Sequence, residues 1–451
     1  MLLDPTNEST ANESTANESA AKSATNESAA KSTTNESAAK SATNESATKS
    51  TTNESATKST TNQSATKSTA NESAAKSTTN QSATKSGTNE SASDPIIEEA
   101  MAQAIQSAKG QLVLVDGATG YVGSHITKTL RDLGIPVRCI VRPGANREDL
   151  AVLESTGAQI QEGDFQATSG AIASGQQDRL FSGVQAAIHT IGSVAPKRGE
   201  SLQSLHAHQT KSFVELSLRN GVSKIIMISS LGTSQDGESE YHRTKWLAEQ
   251  KVRQSGVAFV ILRPALIIGR TFGRRNSKLV DRYLNLIRQN ESVPLIAGGG
   301  NKVQPVFVGD VVSSVIKCLQ TDPANSSASK LAFQDIFGRS HDLAGPEVVT
   351  MREFVERLTS IVIKQKRRFR SVSPLAAKIG AFFCERLQEV PLISSDQIKL
   401  SLSDNTALNN DLLTTFGITP VSIDQALSTY ASGTALAETL ISSKSPFVHQ
   451  D

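Results

Sequence analysis

Three glycines spaced three residues apart, Gly117, Gly120 and Gly123, constrain this chain more than any other feature. They lie in the segment Val115-Asp116-Gly117-Ala118-Thr119-Gly120-Tyr121-Val122-Gly123. An unbroken apolar run, 112–115, precedes them, as in a strand covered on both faces of a parallel sheet. Residues 121–133 follow with Val122, Ile126, Leu130 and Leu133 at helical spacing. Strand, glycine turn and helix in that order make a cradle. Gly117 suits the tight turn, Gly120 lets main chain approach a ligand closely, and Gly123 lets helix pack on strand. The unbonded amides of the helix N-terminus then favour an anion such as a pyrophosphate.

The pattern continues. Gly134-Ile-Pro stops the helix, and 137–141 reads as a second strand. Further strands are expected at 159–162, 186–190, 224–228 and 257–262, with helices over 203–219 and 241–255. This alternation predicts an α/β fold: a Rossmann-type doubly wound parallel sheet over 95–265, with right-handed crossovers. Residues 266–435 predict a smaller α+β lobe, interleaved with the core, that meets a substrate or partner. Within it, 275–289 reads as helix, 293–300 as a turn-rich loop, 305–320 as strand then helix, and 350–365 and 374–390 as helices. Thr350 and Glu353 have the spacing of a capping box. Residues 436–451 are expected to be a tail.

Composition matters mainly before residue 95. The first 94 residues repeat with period nine, as in ATNESAAKS at 24–32 and TTNESAAKS at 33–41. They contain no Val, Ile, Phe, Trp or Tyr. Such a segment cannot bury enough apolar surface to offset its ordering entropy, so a disordered spacer is expected, with partial helix as the rival. Residues 96–108 read as a short leading helix. The repeats carry eight lysines against eleven acids, which leaves 38 basic and 33 acidic side chains for the rest. That mild excess is not a nucleic-acid footprint. Cys139, Cys318 and Cys384 lie far apart without metal-ligand spacing, so neither a disulfide framework nor a metal site is expected. No secretory signal and no membrane-length apolar run is read, and a cytoplasmic or organellar-matrix location is expected.

The G-x-x-G-x-x-G spacing resembles that of the extended and atypical short-chain dehydrogenase/reductase families, the NAD-dependent epimerase/dehydratase type. The resemblance covers most of 111–430. It extends through Gly163-Asp164-Phe165, Ile188-His189-Thr190-Ile191-Gly192, Tyr241-His-Arg-Thr-Lys245 and Leu262-Arg263-Pro264. Pro294-Leu-Ile-Ala-Gly-Gly-Gly, Gln304-Pro-Val-Phe-Val-Gly-Asp310-Val-Val, Asp342-Leu-Ala-Gly-Pro-Glu347-Val-Val-Thr-Met-Arg-Glu353 and Asp396-Gln397 narrow it. They are similar to the subgroup containing the nucleotide-binding accessory subunit of respiratory complex I and its bacterial relatives. The resemblance implies a bound nicotinamide dinucleotide. It leaves two readings open: an oxidoreductase or epimerase with an unidentified small-molecule substrate, or a non-catalytic structural or assembly protein with a protein partner.

The resemblance implies that Gly117, Thr119, Gly120, Tyr121, Val122, Gly123, Ile191, Gly192, Lys245 and Pro264 bind the cofactor, with Asp164 and Phe165 at the adenine. An acid at the end of the second strand would bond the ribose 2′-OH and select NAD(H). This chain has Val141-Arg142-Pro143 instead. The planar fork of Arg142 suits a 2′-phosphate, so NADP(H) is favoured over NAD(H).

Tyr241 and Lys245 are four apart in a helical pattern, so both project from one face. By resemblance Tyr241 is the general acid or base of a carbonyl–hydroxyl pair. A phenol titrates near ~10, and the Lys245 ammonium together with the nicotinamide's positive charge is expected to lower it. Ser230 is the hydroxyl that would polarise a substrate carbonyl, with Ser229 and Thr233 as neighbours one alignment slip away. Where the family often carries an Asn relay, this chain reads Leu205-His206-Ala207-His208. His206 or His208 would replace it, or would be an ordinary hydrogen-bonded helix residue. The segment between Ser230 and Tyr241 is short and polar, unlike the wall of a tight sugar pocket.

Lys364-Gln-Lys-Arg-Arg-Phe-Arg370 is a dense basic run, followed by an amphipathic stretch with Leu375, Ile379, Phe382, Phe383 and Leu387. Peripheral contact with an anionic membrane, a partner helix, and a solvated loop before a core helix are the three readings.

Overall fold

In a computed structural model of the chain, residues 110–165, 175–194, 199–321, 327–387 and 394–431 are described. The chain divides into two units, Met1–Thr88 and Asn89–Asp451, and every described residue belongs to the second. The repeats, the 96–108 segment and the tail expected at 436–451 lie outside the described residues.

The sheet is built from β1 Leu112–Asp116, β2 Val137–Val141, β3 Gln159–Glu162, β4 Val184–His189, β5 Lys224–Ile228 and β6 Ala258–Pro264. Their order is β3-β2-β1-β4-β5-β6, and every pairing is parallel. The chain reverses its direction of winding between β1 and β4. That switch point is where a parallel α/β sheet opens a crevice at its carboxyl edge. Burial explains the composition: all five residues of β5, Lys-Ile-Ile-Met-Ile, are buried. Lys224 tolerates this because its ammonium donates to the carbonyls of Leu319, at 3.2 Å, and Thr321, at 3.0 Å.

The helices of this half are α1 Tyr121–Asp132, α2 Arg147–Glu154, α3 Gly175–Phe181, α4 Gln209–Arg219 and α5 Glu240–Arg253. The helix expected over 203–219 begins with a π turn, Ser204–His208, rather than running regularly into α4.

The second half contributes β7 Ile267–Ile268, α6 Lys278–Gln289, β8 Ser292–Ile296, β9 Lys302–Val303, β10 Val306–Phe307, α7 Val308–Gln320 and α8 Ser327–Ile336. It continues with β11 Arg339–Leu343, β12 Val349–Thr350, α9 Met351–Leu358, β13 Arg368–Val372, α10 Pro374–Leu387, α11 Ser395–Leu402, α12 Asp411–Thr414 and α13 Ile423–Ala431. Strand β11 adds a seventh parallel strand beside β6. Its polar sequence, Arg-Ser-His-Asp-Leu, concealed it; His341 is accommodated because Nε2 bonds the Ile336 carbonyl at 2.8 Å. Helix α7 joins the main core through Val311, Val312, Val315 and Ile316. A separate lobe core gathers Val280, Leu284, Ile287, Val293, Leu295, Phe307, Phe354 and Leu427.

Two sequence expectations for this half fail. The loop expected at 293–300 is strand β8 followed by a short turn. Val293 and Leu295 bury themselves on alternate positions, and Pro294 is tolerated because a two-stranded sheet has only edges. Nor is 364–370 a wholly irregular solvated loop: Arg368–Val372 pairs in parallel with β8. Arg368 and Arg370 are exposed while Phe369 packs on the lobe core, a period of two that the charge density hid. The expected capping box is present: Glu353 N–H donates to Thr350 Oγ1 at 3.1 Å, and Thr350 N–H to Glu353 Oε2 at 2.7 Å.

Candidate functional site

The glycine turn stands at the carboxyl end of β1, at the switch point. Gly117 has φ +57°, and a Cβ there would meet Thr190 Oγ1 at 2.6 Å. A Cβ on Gly123 would run into the Gly117 carbonyl. No side chain caps α1, and its first turn carries no acid. Its leading amides, at Tyr121, Val122 and Gly123, therefore suit the pyrophosphate of a dinucleotide. Thr119 and Gly120 lie half-buried in the turn. The Tyr121 side chain goes elsewhere: its hydroxyl donates to the Gly269 carbonyl at 2.5 Å and its ring packs on the lobe core. The Tyr121 phenol is thus engaged by the lobe.

Beneath the turn lies a buried network that the glycine spacing does not announce. Asp116 Oδ1 accepts from Thr190 N–H at 2.6 Å and from Ile191 N–H at 3.3 Å. Asp116 Oδ2 pairs with His189 Nδ1. His189 Nε2 lies 2.8 Å from Thr210 Oγ1, whose own proton goes to the His206 carbonyl at 2.5 Å. The network fixes the β4 loop that carries Ile191 and Gly192. One sequence signal for it existed: Asp116 is a lone carboxylate ending a wholly apolar strand.

Helix α5 carries Tyr241 and Lys245. Ser239 caps it locally, accepting from His242 N–H at 3.1 Å. Asp396, from α11, caps it from afar, accepting from Glu240 N–H at 2.7 Å and Tyr241 N–H at 2.9 Å. Its far side is pinned by Glu249, which takes a two-pronged bond from Arg263 of β6 at 2.9 and 2.6 Å and the Ser229 hydroxyl at 2.6 Å. Ser229 is therefore committed to the core. Ser230 stands beside Tyr241 and pulls its pKa down, while its own hydroxyl donates to the Leu231 carbonyl at 3.4 Å.

Lys245 is buried, and its ammonium donates to the Ile228 carbonyl at 3.1 Å and the Ile191 carbonyl at 3.3 Å. Gly192 leaves room for it, since a Cβ there would lie 2.8 Å from Nζ. Burial lowers Lys245 to about 8, against the upward pull of Glu249 and Asp116. Burial raises the Tyr241 phenol, and Ser230 only partly opposes it. In the chain by itself, desolvation of the phenolate is the larger influence on Tyr241.

His206 stands against Tyr241 edge-on, with ring centroids 5.4 Å apart. Its Nε2 accepts from Ser193 N–H at 3.3 Å and its Nδ1 meets Thr244 Oγ1 at 2.8 Å. Burial, aided by Lys245, holds it well below the ordinary imidazole range, so it stands neutral beside the phenol. His208 is exposed.

Other expected site residues separate. Arg142 is half exposed just past β2, and its guanidinium lies 3.9 Å from the Glu200 carboxylate, a neighbour not foreseen. Asp164 follows β3, where its carbonyl accepts from Gln177 at 3.1 Å. The Phe165 ring does not line the site. It sits in the core, 5.8 Å from Phe213 and 6.1 Å from Phe181, because a side chain this large and apolar at the end of β3 is better buried beneath the sheet. Pro264 ends β6, and its carbonyl accepts from Leu231 N–H at 2.9 Å. Cys139 and Cys318 are buried and Cys384 is half-buried. Among the described residues no group of three or more His, Cys, Asp or Glu could hold a metal ion. No helix there is long and apolar enough to cross a membrane.

A family model described as NAD(P)H-binding matches residues 117–282, which span the glycine turn, both ends of the Tyr241 helix and the start of the lobe. The chain is 24% identical over 309 residues to the mitochondrial NADH dehydrogenase (ubiquinone) 1 alpha subcomplex subunit 9 of Arabidopsis thaliana, covering 68% of this chain and 72% of that one. It is 27% identical over 315 residues to the like-named protein of Dictyostelium discoideum, covering 68% and 78%. The chain is thus similar to NAD(P)H-binding proteins of the atypical short-chain dehydrogenase/reductase and epimerase type. The fold is similar to that of a solved structure, the triphenylmethane reductase of a Citrobacter species complexed with NADP(H): TM-score 0.52, 17% identity, 71% of this chain and 99% of that one. The matched residues mark a nicotinamide dinucleotide-binding domain.

Proposed function

We propose that the chain is an NADP(H)-dependent oxidoreductase or epimerase acting on a carbonyl–hydroxyl pair. The observation that carries this reading is the Tyr241 phenol beside Ser230, with Lys245 buried one turn further along the same helix. When bound, the nicotinamide supplies or takes a hydride at its C4. Ser230 then orients the substrate oxygen, and Tyr241 gives that oxygen a proton or takes one from it. The raised Tyr241 pKa keeps the phenol protonated at neutral pH, which favours proton donation and hence carbonyl reduction. Lys245, held by two main-chain carbonyls, reaches the ribose side of the cradle. Arg142 supports the choice of NADP(H): it is a cation at the end of β2 where an NAD-selecting acid would stand.

A second reading has its own support. The relatives from Arabidopsis and Dictyostelium are named as NADH dehydrogenase subunits. On that reading the dinucleotide stabilises the fold and the lobe meets a protein partner. Fluorescence titration of the full chain with NADPH and NADH, followed by a screen of carbonyl, quinone and sugar-nucleotide substrates, separates the two. The enzyme reading expects turnover that Tyr241→Phe lowers by about 100-fold or more while dinucleotide binding persists. Binding without turnover across the screen, or turnover indifferent to Tyr241→Phe, sinks it. Glu200→Gln should strengthen NADPH over NADH and Arg142→Ala should weaken it; unchanged ratios in both remove the basis for NADP(H).

A further inference from the structure

Among the described residues nine large apolar side chains are exposed, and four of them share one helix. On α10, Leu375 is 69% exposed, Ile379 54%, Phe382 48% and Phe383 56%. The spacing i, i+4, i+7, i+8 puts all four on one face. At 14 residues α10 spans roughly 21 Å, too short to cross a bilayer and long enough to lie in its surface. Its charge environment is one-sided. Residues 364–387 hold seven cations, Lys364, Lys366, Arg367, Arg368, Arg370, Lys378 and Arg386, against the single acid Glu385. Strand β13 displays Arg368 and Arg370 outward, and α10 begins after one intervening residue, Ser373. Arg386 lies 4.5 Å from the centre of the Phe382 ring.

We propose that β13 and α10 form a docking surface for an anionic phospholipid bilayer. The apolar face of α10 enters the headgroup boundary and the flanking cations meet lipid phosphates. Charge complementarity selects this occupant: a protein groove that covered four apolar side chains would need acids for most of seven cations, whereas an acidic bilayer supplies them everywhere. The surface is independent of the dinucleotide site and of what that site does.

Flotation of the full chain with vesicles tests it. Binding is expected to vesicles of phosphatidylcholine with about a third phosphatidylglycerol, to weaken with added salt, and to be slight on pure phosphatidylcholine. Arg368→Glu with Arg370→Glu, and separately Ile379→Glu with Phe383→Glu, should each lower partition about tenfold or more, with NADPH affinity and melting temperature unchanged. All four side chains are exposed, so both variants should fold. No flotation with anionic vesicles at low salt overturns the proposal. So does flotation that neither variant weakens, or concentration-dependent self-association through this face without vesicle binding.

Discussion

Asp116 and His189 form a fully buried pair at the carboxyl ends of the two strands that flank the switch point. The carboxylate also takes two main-chain amides from the loop after β4, so one side chain ties the floor of the cradle to its wall. Removing it strands a buried imidazole and two amides. Asp116→Ala should cost about 3–5 kcal/mol of unfolding free energy and weaken dinucleotide binding with it. Urea denaturation reads the first and fluorescence titration the second. A variant within about 1 kcal/mol of the parent would show the pair to be incidental.

Gly123 is filled by main chain, not by side chains that could yield. Gly123→Ala should push α1 away from β1 and lower NADPH affinity by at least about tenfold, with a loss of about 1–3 kcal/mol in stability. An alanine variant that binds as the parent does would contradict the close packing of Gly117 on Gly123.

The Arg263–Glu249 pair anchors the helix that carries Tyr241. Arg263→Ala leaves a buried carboxylate with only Ser229 and a distant Arg253, whose guanidinium is 3.7 Å away. About 3 kcal/mol should be lost. Turnover, where present, should fall more than dinucleotide affinity, because Tyr241 moves and the glycine turn does not. Equal losses in both would place the damage elsewhere.

Lys245 gives a pH signature. Its pKa is lowered from 10.5 to about 8 in the folded chain. Below about 8 it is charged in both states and its burial cost is fully present. Between about 8 and 10.5 the unfolded chain holds the proton that the folded chain releases, so stability contributed at this residue rises with pH. The parent should therefore gain on Lys245→Met by up to roughly 3 kcal/mol as pH rises through that window. Parallel melting curves for the two proteins from pH 7 to 10 would be the contrary result.

Sequence periodicity revealed the core far better than the lobe, for a physical reason. Strands β2 and β5 lie at the expected residues because buried parallel strands are short apolar runs between turn signals. Strands β8, β11 and β13 were missed because each mixes polar or proline residues with few apolar ones. Their places are set by partners far along the chain: Arg339 beside Val260, and Arg368 beside Ser292. In the site, the positions of Gly117, Gly123, Tyr241 and Lys245 were legible from local spacing, and Ser230 from the resemblance alone. Asp396 on the Tyr241 amide and Glu200 beside Arg142 were not, since no local pattern links residues that far apart. Phe165 was misplaced for the opposite reason: a family position says where a residue stands, not which side of the sheet its ring prefers.

The wide turn at Ser204–His208 has a consequence for this site. A π turn holds one residue more than an α turn, and each residue of a helix advances the face by about 100°. The imidazole of His206 thus meets Tyr241 through a count of residues as much as through their kinds. Deleting one residue from 204–208 would let a regular helix form with almost the same composition, yet the side chains upstream would swing a quarter-turn or more. The same register decides which atom of the helix faces Ser193 and Thr244. In a chain one residue shorter there, a different side chain would stand beside the phenol.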